Sequence, residues 1–258
     1  MSTFRELGVQ KDFITSLKEL KIKHPTDIQE KTIPVLLNKQ TDFVGLAQTG
    51  TGKTAAFGLP ILHKIDAQND VVQALILSPT RELVQQIKKQ LFKFTKYAEE
   101  RIFTEGVYGG EKIDKQIKNL QRTTHIIVAT PGRLIDLIER GEVNLKNVKT
   151  LVLDEADEML SMGFKHDLNR ILKYTDGSRN VWLFSATMPD EIKKIIKKYM
   201  APSAIRVEVN KESLVNENIT HQFVKTSIKE KTELIVTFLE KRPNERGIIF
   251  CRTKAGTQ

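Results

Sequence analysis

Short apolar runs recur along the chain and alternate with longer amphipathic segments. Runs rich in Val, Ile and Leu have the length of buried strands at 42–46, 74–77, 125–129, 151–153, 181–184 and 205–207. Between them, apolar residues recur three and four positions apart, as in helices, at 81–94, 111–120, 134–139 and 190–200. Strands that are apolar on both faces and alternate with helices predict an α/β fold, with a mainly parallel sheet covered by helices on each side. In such sheets, ligands bind at the carboxyl ends of the strands.

The alternation stops near residue 207, where a polar stretch begins. Residues 208–220 are rich in Asn and Glu and predict a surface linker, so that the first domain spans residues 1–207. We interpret residues 221–258 as part of a second lobe, because their pattern predicts too few elements for an independent domain. These elements are a strand at 221–225, a helix at 229–240 and a strand at 247–251.

Composition narrows the class of protein only slightly. The formal net charge of +9 favours polyanions such as nucleic acid, although many soluble proteins are equally basic. A single cysteine, Cys251, excludes an internal disulfide and a cysteine-rich metal site, and its apolar surroundings predict a buried, inert thiol. The chain starts without a basic-then-apolar signal sequence and lacks an apolar stretch long enough to cross a bilayer. We therefore expect a cytoplasmic protein without membrane association.

The segment from Ala47 to Thr54 follows the first predicted strand and opens a helix, which is the setting of a phosphate-binding loop. Its glycines let the backbone wrap closely round an anion, and the loop N–H groups and helix N-terminus would cradle the phosphates. Lys53 would reach the β- and γ-phosphates, and Thr54 would offer its hydroxyl to Mg²⁺. Ala47 stands where the general pattern has glycine. The predicted nucleotide-binding residues are Gln48, Thr49, Gly50, Thr51, Gly52, Lys53 and Thr54.

Carboxylates end the apolar strand at 151–153. An unpaired charge is costly at such a position, and a bound metal would account for it. Asp154 fits a ligand of Mg²⁺, partly through water, and Glu155 fits the residue that orients and deprotonates an attacking water. Taken alone, the same residues could be the acidic N-terminus of the following helix. Together with Lys53 and Thr54 they favour phosphoryl transfer, with Lys53, Asp154 and Glu155 as the catalytic residues.

In one order along the chain, six segments resemble the motifs of the DEAD-box RNA helicases. They are Ala47 to Thr54, Pro79-Thr80-Arg81-Glu82-Leu83, Gly109-Gly110, Thr130-Pro131-Gly132-Arg133, Asp154-Glu155-Ala156-Asp157 and Ser185-Ala186-Thr187. The resemblance extends from about Phe4 to the last residue. It implies a RecA-like fold and RNA-stimulated hydrolysis of the phosphoric anhydride of ATP, with ATP and Mg²⁺ as cofactors.

The resemblance also assigns an adenine site. Pro25-Thr26-Asp27-Ile28-Gln29 looks like the end of the family's adenine-recognition motif, which places Gln29 against the adenine edge and Phe4 in the upstream aromatic position. A glutamine amide donates and accepts hydrogen bonds at once, as the adenine edge requires. The family usually has a Gly-Phe pair where this chain has Lys21-Ile22, so an aliphatic side chain, Ile22, would pack on the base. We therefore expect weaker stacking on the base and a weaker specificity for adenine.

By the same resemblance, three loops would line an RNA path. Each is by itself an ordinary turn or helix start. Together they would hold successive phosphates through N–H groups, hydroxyls and arginines and ignore base identity, so that RNA binding would be sequence-nonspecific. The RNA-binding residues so implied are Pro79, Thr80, Arg81, Gly109, Gly110, Thr130, Pro131, Gly132 and Arg133. The resemblance further implies that Asp157, Ser185 and Thr187 couple the two lobes.

Residues 248–253 look like the first motif of the family's second lobe, whose later motifs include arginines that reach the γ-phosphate. Without them, we expect the chain to bind nucleotide and hydrolyse it poorly. The complete protein would unwind short RNA duplexes locally, with protein partners in RNA decay, ribosome assembly or translation. Two alternatives are an ATP-gated RNA clamp without productive unwinding and a P-loop ATPase acting on DNA or protein.

Overall fold

The computed structural model describes residues 2–175, 177, 179–209, 220, 222–251, 253 and 256. They fall into two compact units, Met1–Lys211 and Glu212–Gln258, which are described separately. Among the described residues, no helix has the length and apolar character of a membrane span. Most of the predicted linker, 210–219, lies outside the described residues.

The first unit is built on a seven-stranded sheet whose strands all run parallel in the order β3-β4-β2-β5-β6-β1-β7. This arrangement confirms the predicted fold class. The strands are β1 (Phe43–Leu46), β2 (Ala74–Leu77), β3 (Thr104–Val107), β4 (Ile126–Ala129), β5 (Thr150–Leu153), β6 (Asn180–Ser185) and β7 (Ile205–Glu208).

Helices connect the strands. In this unit they are α1 (Lys11–Glu19), α2 (Asp27–Asn38), α3 (Lys53–Lys64), α4 (Arg81–Phe94), α5 (Ile113–Leu120), α6 (Pro131–Glu139), α7 (Ala156–Ser161), α8 (Lys165–Tyr174) and α9 (Asp190–Tyr199). The predicted bounds of α4, 81–94, agree with the structure at both ends. At its start, Thr80 caps the helix by accepting a hydrogen bond from the Leu83 N–H at 3.3 Å. The predicted start of α6, at Leu134, was three residues late, because Pro131 occupies the first helical turn.

The core lies on both faces of the sheet, as the unbroken apolar strands predict. In β6, Trp182 and Phe184 belong to one cluster of buried residues, and Val181 and Leu183 belong to the other. Successive strand residues point to opposite faces, so a strand covered on both sides must be apolar throughout. In β1, Gly45 admits the Phe184 ring, which would lie 2.9 Å from an added Cβ. A larger residue there would push the ring out of the core.

Sequence reasoning missed β3. This strand is the edge of the sheet, Thr104 and Glu105 are only half-buried, and Gly106 interrupts the apolar run. An edge strand carries a weaker apolar signal than a strand between two neighbours.

In the second unit, only the helix prediction is confirmed, as α10 (Lys231–Glu240). The strands predicted at 221–225 and 247–251 were wrong for the described residues 222–225 and 247–251, which are irregular. A strand needs a hydrogen-bonded partner, and none is present among the described residues of this unit. The prediction of a buried thiol was also wrong, because Cys251 is exposed.

A buried histidine gives the first unit a testable pH dependence. The Nδ1 atom of His125 accepts a hydrogen bond from the Phe103 N–H at 3.1 Å, so the ring is neutral with its proton on Nε2. That Nε2 has no hydrogen-bond partner among the described residues, and Asp70 Oδ1 is 3.9 Å away. Burial lowers the pKa of His125 from 6.5, and Asp70 and Asp66 oppose this only in part.

Because the unfolded chain takes up this proton first, His125 is expected to make folding stability fall as the pH drops below about 6.5. The limiting slope is about 1.4 kcal/mol for each pH unit. Urea unfolding at pH 7.5 and pH 5.5 checks this, with His125→Gln as the neutral comparison. The wild-type protein should lose more stability than the variant over this interval. Equal losses would show that His125 does not contribute.

Candidate functional site

All six motif segments lie at one edge of the sheet, because each directly follows a parallel strand. Parallel strands present their carboxyl ends at the same edge, so residues far apart in sequence come together there. The segments divide into two groups of neighbouring strands. The loops after β5, β6 and β1 carry Asp154, Thr187 and Lys53, and the loops after β3, β4 and β2 carry Gly110, Thr130 and Thr80.

The phosphate loop, residues 47–54, turns sharply into α3. Gly50 and Gly52 have φ angles of 77° and 89°, in the left-handed region that favours glycine. Thr51 Oγ1 donates to the Gln48 carbonyl at 2.7 Å, which closes the turn. Lys53 is buried, and its ammonium donates to the Ala47 carbonyl at 3.1 Å across the loop. The loop is therefore folded round its own lysine.

The segment predicted to recognise adenine is held against this loop. Gln29 Nε2 donates to the Gly52 carbonyl at 2.9 Å, and its Oε1 accepts from the Thr26 N–H at 3.1 Å. Thr26 Oγ1 donates to the Thr51 carbonyl at 2.8 Å. A Cβ on Gly52 would lie 2.3 Å from Gln29 Nε2, so a side chain there would displace the Gln29 amide from the loop. Sequence reasoning did not assign a role to Thr26, which its capping position before α2 could have indicated.

Phe4 and Ile22 line one cavity of about 430 Å³ beside α1. Phe4 is 3% exposed and belongs to the core, so in this conformation its ring offers almost no face for stacking. Lys21, which stands where the family usually has glycine, has a φ of 61°. A backbone that visits the left-handed region explains why glycine suits this position and why a lysine is strained there.

Asp154 ends β5 with a buried carboxyl whose Oδ1 has no hydrogen-bond partner among the described residues. Burial raises the pKa of this carboxyl to about 7, although the neighbouring Lys53 ammonium lowers it. An orphaned carboxylate oxygen beside a phosphate loop fits a ligand of Mg²⁺, which takes one or two protein oxygens besides phosphates and water. Thr54, which is half-buried on the first turn of α3, fits the second ligand.

Glu155 is the second carboxylate of this edge. Its φ of 50° places a non-glycine residue in the left-handed region immediately before α7. Such backbone costs about 1–3 kcal/mol and concentrates at functional sites. The side chain is half-buried, so it can meet a water molecule at the surface of the site.

Asp157 and Thr187 join the ends of β5 and β6. The Asp157 Oδ2 atom accepts from the Thr187 N–H at 2.9 Å and from Thr187 Oγ1 at 2.7 Å. Ser185 Oγ donates to the Thr187 carbonyl at 2.8 Å. Burial raises the pKa of Asp157, but the hydrogen bonds from Thr187 and Ser185 outweigh it and leave the pKa lowered. Asp157 is therefore a fixed anion that holds the turn after β6.

The loops after β2 and β3 meet through Arg81. Its Nη1 donates to the Gly110 carbonyl at 3.3 Å, and its guanidinium lies 5.1 Å from the centre of the Tyr108 ring. Tyr108 in turn accepts a hydrogen bond from Gln85 Nε2 at 2.9 Å. Gly110 has a φ of 81°, which suits glycine. Tyr108 was not predicted, although its position directly before Gly109 could have drawn attention to it.

The loops after β3 and β4 meet through Arg133. Its two terminal nitrogens both donate to the Glu111 carbonyl, at 3.1 and 3.2 Å, and Nη1 also donates to Gln116 Oε1 at 3.0 Å. Thr130 precedes Pro131 at the start of α6. The structure thus brings together the residues predicted after β2, β3 and β4, and it adds Gln116, which the sequence did not indicate.

Comparison with known proteins agrees with this geometry. A model of the DEAD/DEAH box helicase family matches residues 26–195. The DEAD-box ATP-dependent RNA helicase CshA of Geobacillus kaustophilus is 42% identical over 254 residues, and the ATP-dependent RNA helicase CshA of Listeria monocytogenes is 45% identical over 255 residues. Each alignment covers 98% of this chain but 54% and 48% of the respective relative. The chain therefore spans about half the length of these relatives.

A solved structure of a DEAD box protein from the hyperthermophile Methanococcus jannaschii matches with a TM-score of 0.76 and 38% identity. The match covers 99% of this chain and 68% of that protein. The chain belongs to the DEAD/DEAH box helicase family, and its sheet with flanking helices is the RecA-like fold of that family.

Proposed function

We propose that this chain is the ATP-binding part of an ATP-dependent RNA helicase that acts on RNA without sequence specificity. The observation that carries the proposal is the buried Asp154 carboxyl beside Lys53, whose Oδ1 has no hydrogen-bond partner among the described residues, at the edge of the sheet where the phosphate loop begins. A carboxylate in that position needs a cation, and a phosphate loop supplies its usual setting.

The nucleotide lies, in this proposal, across the loops after β1, β5 and β6. Lys53 moves its ammonium from the Ala47 carbonyl, 3.1 Å away, to the β- and γ-phosphates. The loop N–H groups and the start of α3 hold the remaining phosphate oxygens. Gln29 already contacts the loop through Gly52, so that adenine recognition and phosphate binding share one segment.

Hydrolysis requires an attacking water that is oriented and deprotonated. Glu155 performs this role, since it follows the Asp154 position directly and is half-buried. Asp154 and Thr54 would hold Mg²⁺, partly through water, and the ion would supply charge neutralisation of the phosphates when bound. Asp157, Ser185 and Thr187 transmit the state of the nucleotide to the second lobe through the turn after β6.

RNA binds along the loops after β2, β3 and β4. The groups offered there are backbone N–H groups, the hydroxyls of Thr80 and Thr130 and the guanidinium of Arg81. They suit a sugar-phosphate backbone, and glycines at 109, 110 and 132 allow its close approach. Because these groups do not read base edges, binding tolerates any sequence.

The decisive experiment measures ATP hydrolysis with and without single-stranded RNA, for this chain and for a version extended to complete the second lobe. We expect RNA-stimulated turnover in the extended protein only. If neither protein responds to RNA but both bind ATP, the helicase function fails and a nucleotide-gated protein of another kind is the better explanation. Competition between RNA and DNA for the stimulation separates the RNA branch from DNA-dependent ATPases, and release of a short duplex separates a helicase from a clamp.

Two glycines of the phosphate loop allow a matched test of its geometry. Gly50→Ala and Gly52→Ala both place a side chain at a positive φ, which costs about 1–2 kcal/mol in either variant. An added Cβ has open space at Gly50 but would lie 2.3 Å from Gln29 Nε2 at Gly52. We therefore expect Gly52→Ala to weaken ATP binding by at least about tenfold more than Gly50→Ala. Titration with a fluorescent ATP analogue measures both, and equal losses would argue against the contact with Gln29.

A further inference from the structure

One buried side chain joins two of the loops that the proposed function assigns to RNA. Gln116, on α5, is 1% exposed, and all its hydrogen-bonding capacity is used. Its Oε1 accepts from the Tyr108 N–H at 3.3 Å and from Arg133 Nη1 at 3.0 Å. Its Nε2 donates to the Tyr108 carbonyl at 2.9 Å and to Glu111 Oε2 at 3.2 Å.

The partners of Gln116 surround the glycine pair. Tyr108 precedes Gly109-Gly110 and Glu111 follows it, so that the amide clamps the two ends of the loop. Arg133 belongs to the first turn of α6, directly after Thr130-Pro131-Gly132. The same amide therefore sets the distance between the loop after β3 and the start of α6.

The Gln116 oxygen faces two donors, and its nitrogen faces two acceptors. These neighbours fix the orientation of the amide. A carboxylate in its place could accept from Tyr108 and Arg133 but could not donate to the Tyr108 carbonyl, and it would lie against the Glu111 carboxylate. An apolar side chain of similar size would leave buried polar groups of Tyr108 and Arg133 without their partner. Glutamine is thus the residue type that satisfies every neighbour.

Arg133 also joins the two loops. Both terminal nitrogens of its guanidinium donate hydrogen bonds within the site, to the Glu111 carbonyl and to Gln116, so the side chain holds the loops together. The flat, rigid fork of arginine suits this geometry, whereas a lysine offers a single point charge.

We propose that Gln116 is a positioning residue for RNA: through Arg133 it locks the Tyr108–Glu111 loop to the start of α6, so that the two loops meet the RNA backbone as one rigid unit. The inference rests on the proposed RNA function. A pre-formed spacing between two phosphate-contacting loops avoids the entropic cost of ordering them when RNA binds. Its loss should weaken RNA binding without affecting the nucleotide, because the phosphate loop lies in the other group of strands.

The test measures RNA affinity by fluorescence anisotropy of a labelled single-stranded oligouridylate, and ATP affinity with a fluorescent analogue, in the chain and in the extended protein. Gln116→Leu should weaken RNA binding about tenfold or more and leave ATP affinity within about twofold of wild type. Gln121→Leu, an exposed glutamine at the end of the same helix, is the matched control and should leave both unchanged. Melting curves confirm that each variant is folded at the temperature of the titrations.

A swap variant separates positioning from simple damage to the fold. Gln116→Glu alone should bind RNA poorly, whereas Glu111→Gln alone should bind normally, since an amide oxygen can still accept from Gln116. The ion pair of Glu111 with Lys115, which is lost in this variant, is a surface pair of small energy. Combining the two restores a donor and an acceptor between the side chains, and it should recover about threefold of the lost RNA affinity.

Three outcomes would overturn the proposal. Wild-type RNA affinity in Gln116→Leu would show that the clamp is not needed. Parallel losses of RNA and ATP affinity, or no recovery in the swap variant, would assign Gln116 a purely structural role. If the wild-type protein binds ATP but no RNA in either form, the proposed function fails, and this inference fails with it.

Discussion

Replacing Lys53 with alanine is expected to lower ATP hydrolysis on the order of 100- to 1,000-fold in the protein that carries both lobes. The ammonium is buried in the phosphate loop, where it donates a hydrogen bond to the Ala47 carbonyl. No other side chain of the loop carries a positive charge, so its removal takes away the group that neutralises the β- and γ-phosphates. Alanine has the highest helix propensity and should keep the first turn of α3 intact.

Turnover assays and ATP titration measure this effect, and melting curves show whether the fold survives. Lys64→Ala is the matched control, because Lys64 ends the same helix and lies away from the loop, where it donates to the Lys39 carbonyl. We expect the control to hydrolyse ATP at the wild-type rate. If Lys53→Ala binds and hydrolyses ATP normally, the phosphate loop is not the nucleotide site.

The second large effect is expected for Glu155→Gln, which should retain ATP but lose turnover by about 100- to 10,000-fold. Glutamine has nearly the same shape and tolerates the left-handed backbone no better or worse than glutamate, so the strain at φ 50° is unchanged. What disappears is the carboxylate that takes a proton from the attacking water. A defect confined to turnover would therefore identify the base.

Single-turnover measurements with the extended protein, together with ATP titration, separate binding from chemistry. Glu158→Gln serves as control, since Glu158 lies three residues after Glu155, in the first turn of α7, and is exposed. Wild-type turnover in Glu155→Gln would show that Glu155 is not the base. A loss of ATP binding as large as the loss of turnover would instead indicate a role in holding the nucleotide.

The fold was largely predictable, because the strands of a parallel sheet are apolar on both faces and stand out in the sequence. Trp182 and Val181 face opposite sides of the sheet, and both lie in the core. The unbroken run of apolar residues in the sequence reflects this burial on both faces. The edge strand β3 and the strands expected in the second unit were not predicted correctly. Whether such a segment forms a strand depends on which neighbouring strands are available for pairing. Phe4 shows a similar limit, because its residue type suits stacking but its burial is decided by tertiary packing.

The sequence by itself determined which chemistry to expect at the site. Glycines before a lysine and a threonine, and carboxylates at the end of an apolar strand, predict binding of phosphate and Mg²⁺, because few other arrangements suit those groups. The order of the motifs along the chain was likewise sufficient to indicate the family.

Tertiary structure decided how these segments are grouped. Along the chain the three loops proposed to bind RNA, after β2, β3 and β4, separate the loop after β1 from the other two loops proposed to bind the nucleotide, after β5 and β6. The strand order β3-β4-β2-β5-β6-β1 instead places each set of three on neighbouring strands. Strand order is set by crossovers and by packing between distant residues, which local patterns do not record. For the same reason only the folded chain brings Gln116, Arg133 and the glycine loop into contact. Only folding, too, buries Asp154 Oδ1 without a hydrogen-bond partner among the described residues.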